Sequence, residues 1–262
     1  MPLGLLDRLI APAPDPDRVG WLGEHDFAHR GLHSPDIPEN SLSAFSAAIE
    51  RGMGMECDVQ LSADGEAMVF HDWELDRLTE ETGPVAGRSS DDLSRIELSG
   101  SEENIPSQRD LLARIGGRQP LLVEVKSKRD YDPVPLCRAV QAALAGYAGL
   151  HAVMSFDPRV VRWFMSNKTA ATCETLRGLV VTEEHMSSFS KSARLHASLW
   201  LARPDFLAYD VRDFPSRFAA AQRKRGLPVL TWTVRTPDLR AIAARHADAP
   251  IAEGAGVATI PE

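Results

Sequence analysis

The chain has 262 residues, enough for one large α/β domain or for two small ones. Its 29 Lys and Arg residues against 37 Asp and Glu residues give a net charge of −8, which argues against a nucleic acid or an anionic membrane surface as the main partner. The cysteines, Cys57, Cys137 and Cys173, are widely spaced and form no CxxC pair, so we expect buried free thiols rather than disulfides or a zinc site.

The first twelve residues, MPLGLLDRLIAP, contain apolar side chains interrupted by Asp7 and Arg8. They have no basic leader and no apolar run of signal-peptide length, and no run in the chain is long enough to span a membrane, so we expect a cytoplasmic protein. Leu3, Leu6 and Ile10 recur at helical spacing, which favours a short helix packed on the domain. A peripheral membrane anchor is the alternative, although anchors usually carry a basic polar face.

Short apolar, β-branched runs alternate with helix-like segments, and this order predicts a parallel sheet with crossover helices. Eight such strands favour a closed (β/α)8 TIM barrel over an open sheet, so we expect an α/β fold with one domain over residues 1–262. The predicted strands lie at residues 26–29, 53–60, 121–126, 151–156, 176–181, 206–210, 229–234 and 250–253.

Residues 67–70 form a further strand-like run that follows Gln60 after only LSADGE. A parallel crossover needs a dozen or more residues, so this run must return antiparallel as a β-hairpin, which carries His71 back toward the mouth of the barrel. Residues 73–119 are polar and predict an excursion on the catalytic face, with helical pieces at 90–96 and 108–115.

Acidic residues occur within two of the apolar strand patterns. Glu56 and Asp58 flank Cys57, and in LLVEVK (121–126) Glu124 and Lys126 are likewise two residues apart, so each pair shares one face of its strand. Carboxylates that point into a barrel are costly without a cation, and a divalent metal such as Mg²⁺ or Ca²⁺ is the economical explanation. A buried Glu124–Lys126 pair that serves only stability is the alternative, but one lysine cannot neutralise three acids.

Two histidines lie at predicted strand ends. His29 ends the first strand, where barrel enzymes place their chemistry, and the adjacent Arg30 offers a fork suited to phosphate. His71 ends the hairpin. Two imidazoles near one mouth supply the base and the acid that phosphodiester cleavage needs, and the sequence leaves open which is which.

As an ordered set, HRG (29–31), PEN (38–40), ECD (56–58), HD (71–72) and VEVK (123–126) resemble the glycerophosphodiester phosphodiesterase family. Weaker matches are LDRLT (75–79), IPSQRDLL (105–112), SF (155–156) and WTV (232–234). The resemblance implies a set of site residues. They are the metal ligands Glu56, Asp58 and Glu124, the phosphate-binding Arg30 and Lys126, the acid–base pair His29 and His71, and the candidate pocket residues Glu39, Asn40, Phe156 and Trp232.

The resemblance also implies metal-dependent hydrolysis of small glycerophosphodiesters to an alcohol and glycerol 3-phosphate, with the neighbouring glycerol hydroxyl as nucleophile and a cyclic intermediate. Lysophospholipase D-type cleavage is one alternative, and it would need an apolar groove near residues 73–119. A noncatalytic barrel that binds a phosphodiester is another, although every histidine and acid of the set is present.

The sequence departs from the family pattern in three places. Ser107-Gln108 replaces Thr-Leu, Arg235 replaces Asn, and the C-terminal residues read ADAPIAEGAGVATIPE. These departures affect the eighth strand, the closing helix and the pocket near Arg235 and Glu253. Residues 3–10 are a candidate replacement for the closing helix.

Overall fold

A computed structural model describes residues 3–184 and 188–258 of the chain. Within these residues the strands are β1 (Phe27–Ala28), β2 (Gly54–Leu61), β3 (Ala67–Val69), β4 (Leu121–Val125), β5 (His151–Ser155), β6 (Leu176–Val181), β7 (Phe206–Asp210), β8 (Val229–Val234) and β9 (Ala249–Ala252). They form one sheet in the order β1-β9-β8-β7-β6-β5-β4-β2-β3, and an additional β1–β2 pairing closes it into a (β/α)8 barrel.

A helix lies in each connection between successive strands of the barrel. The helices are α1 (Leu3–Ile10), α2 (Pro16–Val19), α3 (Leu42–Glu50), α4 (Ser90–Leu93), α5 (Gln108–Ile115), α6 (Val134–Leu144), α7 (Pro158–Ser166), α8 (Ser188–Ala202), α9 (Arg217–Lys224) and α10 (Pro237–His246). Among the described residues, no helix combines the length and apolar character needed to cross a bilayer.

The predicted barrel is confirmed, and each predicted strand has a counterpart whose bounds differ by at most two residues. The hairpin is confirmed as well, because β3 pairs antiparallel with β2 and Val59 lies opposite Val69. The eighth barrel strand predicted at residues 250–253 corresponds to β9, which pairs parallel with β8. After β9 the described residues contain only a 3₁₀ turn at Gly254–Gly256, and residues 259–262 of the atypical terminus lie outside the described part.

The chain divides into two compact units. The first unit contains Met1–Phe27, Val153–Lys168 and Leu176–Glu262, and the second contains Ala28–Ala152 and Thr169–Thr175. The expectation of one domain over residues 1–262 stays a prediction.

The excursion in the second unit has an apolar core of its own. Eight buried side chains from the hairpin and the excursion form this cluster, namely Met68, Phe70, Leu75, Val85, Leu93, Ile96, Leu98 and Ile105. The departure at Ser107 has a structural role, because Ser107 is the N-cap of α5 and forms a capping box with Asp110. Gly116, at φ 57°, then ends the helix in the left-handed region.

In the first unit, the helix predicted over residues 3–10 is confirmed as α1. Of its predicted packing face, Leu6 and Ile10 are half-buried and Leu3 is exposed, while the fully buried side chain of the helix is the polar Asp7, which is 1% exposed. The Asp7 carboxylate accepts hydrogen bonds from His196 Nδ1 at 2.7 Å, Trp200 Nε1 at 2.8 Å and Gln222 Nε2 at 2.8 Å. Burial alone would raise the pKa of Asp7, but these hydrogen bonds outweigh it and the pKa is lowered.

The expectation for the three cysteines is correct for two of them. Cys57 and Cys137 are buried, but Cys173 is exposed, and all three are free thiols. Cys173 follows the short 3₁₀ turn Ala170–Thr172 and lies outside the strands and α-helices.

We expect Asp7→Leu to destabilise the fold by about 2 to 3 kcal/mol, because it leaves buried donors of α8 and α9 without an acceptor. Leu9→Ala in the same helix should change stability by less than about 0.5 kcal/mol, since Leu9 is 71% exposed. Urea unfolding of both variants checks this. A loss of unfolding free energy greater than about 0.5 kcal/mol for Leu9→Ala would contradict the exposed position of Leu9.

Candidate metal and acid–base site

Three acidic side chains converge in the second unit because β2 and β4 are parallel neighbours. Asp58 pairs directly with Glu124 across the two strands, and Glu56 lies two residues earlier on the same face of β2. Oxygen atoms of the three carboxylates lie within 4.8 Å of one another. The residues are 1%, 2% and 9% exposed for Glu56, Asp58 and Glu124, so water screens their charges poorly.

Two cationic side chains lie against this acidic group. Lys126 Nζ is 3.1 Å from a Glu124 oxygen and 3.4 Å from an Asp58 oxygen, and Arg30 Nε is 3.3 Å from the other Asp58 oxygen. The backbone N–H of Arg30 donates to Glu56 Oε2 at 3.0 Å. Arg30 and Lys126, the predicted phosphate-binding residues, therefore contact the acids directly. The sequence pattern predicts Lys126 as a partner of the acids but does not predict this contact for Arg30.

The charge balance among these groups is uneven. Burial raises the pKa of Glu56 well above its usual range, and the charges of Asp58 and Glu124 raise it further. Burial likewise raises the pKa of Glu124, and only part of that rise is offset by Lys126. At Asp58, burial is outweighed by Lys126, His71 and Arg30, and the pKa falls to about 2. Repulsion therefore remains at Glu56 and Glu124.

The three acids fit a hard divalent cation. All three donors are carboxylate oxygens, which are the ligands of Mg²⁺ and Ca²⁺, and a bound cation would relieve the repulsion that burial creates. The same set would not suit a soft metal, because Cys57 alternates to the opposite face of β2. The donor set thus matches the magnesium or calcium site expected from the sequence.

Two residues with positive φ bring their side chains to Asp58. Arg30 has φ 54° and Asn40 has φ 60°, both in a region that non-glycine residues seldom adopt. The Asn40 side chain donates to Asp58 Oδ2 at 3.2 Å, and its backbone N–H donates to the Arg30 carbonyl at 2.8 Å. Gly31, the residue after Arg30, has φ 77°. A Cβ atom added to Gly31 would lie only 2.8 Å from the Cβ of Ala44 on α3. The turn after β1 is therefore tightly packed and supports strained site residues.

His29 is buried at the end of β1, and its Nε2 lies 4.0 Å from Glu56 Oε2. The first predicted histidine is thus adjacent to a predicted metal ligand.

His71 is held by the end of the hairpin. Gln60, the next inward residue of β2 after Asp58, donates from Nε2 to the carbonyl of Phe70 at 3.0 Å and also to that of Asp72. His71 Nδ1 lies 2.6 Å from Asp72 Oδ1. Burial lowers the pKa of His71, and this outweighs the opposite effect of Asp58. The ring is therefore biased toward its neutral form.

A network of ion pairs joins the two histidine-bearing segments. Arg30 Nη1 donates to Glu39 Oε1 at 2.7 Å, Arg77 Nη2 donates to the same oxygen at 2.7 Å, and Arg77 Nε donates to Asp72. Glu39, a candidate pocket residue, thus bridges two arginines. Sequence reasoning missed Arg77 and Gln60 as site residues. Their signals were the LDRLT match and the continued two-residue period after Glu56 and Asp58.

The other two candidate pocket residues lie in the first unit. Phe156 and Trp232 pack edge to face with ring centroids 5.3 Å apart, and Trp232 Nε1 donates to the Ala208 carbonyl at 2.9 Å. Arg235, one of the departures from the family pattern, forms an ion pair with Glu253 at 2.5 Å. A pocket role for these residues stays a prediction.

Comparisons with known proteins relate the whole chain to one family. A family model described as the glycerophosphoryl diester phosphodiesterase family matches residues 29–260. Glycerophosphodiester phosphodiesterase 1 of Bos taurus is 26% identical over 285 residues, a match that covers 93% of this chain and 83% of that protein. A glycerophosphodiester phosphodiesterase of Caldanaerobacter subterraneus is 36% identical over 109 residues, which is 38% of this chain and 44% of that protein, less than half of its length.

Solved structures show the same fold. A phosphodiesterase of Oleispira antarctica in complex with the product sn-glycerol-3-phosphate superposes with a TM-score of 0.74 at 22% identity, covering 87% of this chain and 92% of that one. A glycerophosphodiester phosphodiesterase of Thermotoga maritima gives a TM-score of 0.66 at 24% identity over 86% of this chain and 92% of that one.

We expect Glu56→Gln to stabilise the metal-free protein at pH 7 by about 1 kcal/mol, because it replaces a buried carboxyl group whose ionisation is opposed by burial and by its acidic neighbours. Because the pKa of Glu56 is raised on folding, the unmodified protein should lose stability as the pH rises through that raised value, and the variant should lose less. The variant should also lose most of the thermal stabilisation that millimolar Mg²⁺ or Ca²⁺ gives.

Thermal unfolding with and without the cation, at several pH values, measures both effects. Glu50→Gln, an exposed position on α3, is the matched control and should behave as the unmodified chain. A metal-free Glu56→Gln protein that is clearly less stable would contradict the repulsion described above.

Proposed function

The chain belongs to the glycerophosphoryl diester phosphodiesterase family, and from this premise we propose that it hydrolyses glycerophosphodiesters to an alcohol and glycerol 3-phosphate. The observation that carries the proposal is the buried group of Glu56, Asp58 and Glu124, with His29 4.0 Å from Glu56. The product bound to the Oleispira antarctica phosphodiesterase supports glycerol 3-phosphate as the product here.

Glu56, Asp58 and Glu124 would hold one divalent cation, which we propose to be Mg²⁺ or Ca²⁺. When bound, such a cation stabilises the negative charge that develops on the nonbridging phosphate oxygens. Folding already brings the three acids together, so the free-energy cost of placing them side by side does not fall on cation binding.

We assign His71 as the general base of the first step. A proton on Nδ1, donated to Asp72, leaves the Nε2 lone pair free to accept the proton of the attacking glycerol hydroxyl. The lowered pKa of His71 favours this neutral state at pH 7. Gln60 and Arg77 position the ring through the backbone carbonyls beside it and through Asp72.

His29 is then the general acid that protonates the leaving alcohol oxygen. The hydroxyl oxygen forms the new bond to phosphorus, the bond to the head-group oxygen breaks, and a cyclic phosphate remains. Water opens this intermediate with the two histidines in exchanged roles, which gives glycerol 3-phosphate.

Arg30 and Lys126 are proposed to bind the substrate phosphate while they keep contact with the acids. The Arg30 side chain has five N–H donors. Its contacts with Asp58 and Glu39 use only some of them. Its planar fork suits two phosphate oxygens, and Lys126 adds a point charge beside Glu124.

Cleavage of lysophospholipids is not favoured by the excursion. Its large aliphatic side chains are mostly buried, in the cluster around Leu75 and Leu93 or along α5, and Trp73 is half-buried. Among the described residues of 73–119 none is an exposed large hydrophobic side chain. An acyl chain would find no apolar groove there. The metal identity and the cytoplasmic location stay predictions from the sequence.

We expect His71→Ala to lower kcat on glycerophosphodiesters by about 10²-fold to 10⁴-fold, because it removes the proposed base.

EDTA should abolish turnover of the unmodified chain, and added Mg²⁺ or Ca²⁺ should restore it. Release of glycerol 3-phosphate, measured with a coupled dehydrogenase assay, follows both effects. His25→Ala, outside the site, is the matched control.

Full activity of the His71→Ala protein would refute the assigned base. Full activity after complete metal removal would refute the proposed metal dependence. Turnover of lysophosphatidylcholine above that of glycerophosphocholine would favour the lysophospholipase D alternative instead.

A further inference from the structure

Two aromatic rings and a lysine form a cluster that the proposed reaction does not use. The rings of Trp73 and Tyr131 lie with centroids 6.0 Å apart and an angle of 42° between their planes. The ammonium of Lys128 lies 4.1 Å from the centroid of the Trp73 ring and 5.6 Å from that of Tyr131. These distances place the Lys128 ammonium within cation–π range of both rings.

The cluster adjoins the proposed active site along two segments of the second unit. Trp73 follows His71 by two residues, and Lys128 follows Lys126 by two residues. Two residues of extended chain span at most about 7 Å. The backbone of Trp73 and that of Lys128 therefore lie within about 7 Å of the backbone of His71 and of Lys126, respectively.

Access from solvent suits a binding surface. Tyr131 is 51% exposed, and Trp73 and Lys128 are half-buried. The cluster is thus partly open to solvent.

We propose that Trp73, Lys128 and Tyr131 form the head-group subsite, and that it selects leaving alcohols without a positive charge, such as glycerol, over quaternary ammonium alcohols. The inference rests on the proposed function, because it concerns the alcohol that leaves in that reaction. It adds the chemical class of head group, which the family membership does not assign.

The physical reason is competition for one ring face. A pair of aromatic rings is a common receptor for quaternary ammonium groups, but here the ammonium of Lys128 already lies over the Trp73 face. A cationic head group must displace Lys128 or bind beside it against like-charge repulsion. Hydroxyl or anionic groups instead meet a donor, since an ammonium has three N–H bonds and no acceptor.

The test compares kcat/KM for glycerophosphoglycerol with kcat/KM for glycerophosphocholine. We expect the unmodified chain to prefer glycerophosphoglycerol, and Lys128→Ala to lower the ratio of the two values about tenfold by freeing the ring face. Lys128→Arg should retain the ratio. Arg129→Ala removes the same charge from the next, exposed residue and is the matched control.

A second substitution separates a direct role from a structural one. In the Lys128→Ala background, Trp73→Ala should remove the gain in glycerophosphocholine turnover, because the freed ring is what binds the ammonium. An unchanged ratio in Lys128→Ala, or an equal shift in Arg129→Ala, would overturn the subsite while the proposed function stands. Absence of turnover of both substrates by the unmodified chain would overturn the proposed function and the subsite together.

Discussion

Mutual repulsion among three buried carboxylates is the constraint on which the rest of the site depends. Parallel pairing of β2 and β4 forces Asp58 and Glu124 side by side, and the two-residue period of β2 adds Glu56. Lys126 and Arg30 offset part of the charge, mostly at Asp58. A fold retains such an unfavourable group when a ligand relieves it, and this cost in stability is typical of functional sites.

The surrounding residues hold this arrangement in place. Arg30 and Asn40 adopt positive φ values and both direct polar groups at Asp58, while Gln60 fixes the backbone on either side of His71. Arg77 and Glu39 then join the turn after β1 to the segment after β3. The ion pairs and hydrogen bonds join the two imidazole-bearing segments, which is the preorganisation that the proposed acid–base catalysis requires.

Much of this was predictable from the sequence because local patterns decide it. Alternation in ECD and VEVK placed Glu56, Asp58 and Glu124 on inward faces, and a six-residue connection required a hairpin before His71. Contacts between distant residues were not predictable. The burial of Asp7 and the contact of Arg30 with Asp58 depend on tertiary packing, about which sequence spacing carries no information. The LDRLT match marks Arg77 but does not give its partner Glu39.

Glu56, Asp58 and Glu124 are proposed to hold one divalent cation, and crystals grown with Mn²⁺ in place of Mg²⁺ would reveal it, because manganese gives an anomalous signal that oxygen and nitrogen do not. We expect a single strong anomalous peak in contact with all three carboxylates, and its loss in Glu124→Gln crystals. A peak elsewhere, or none at these residues at millimolar Mn²⁺, would show that the three acids do not share a cation.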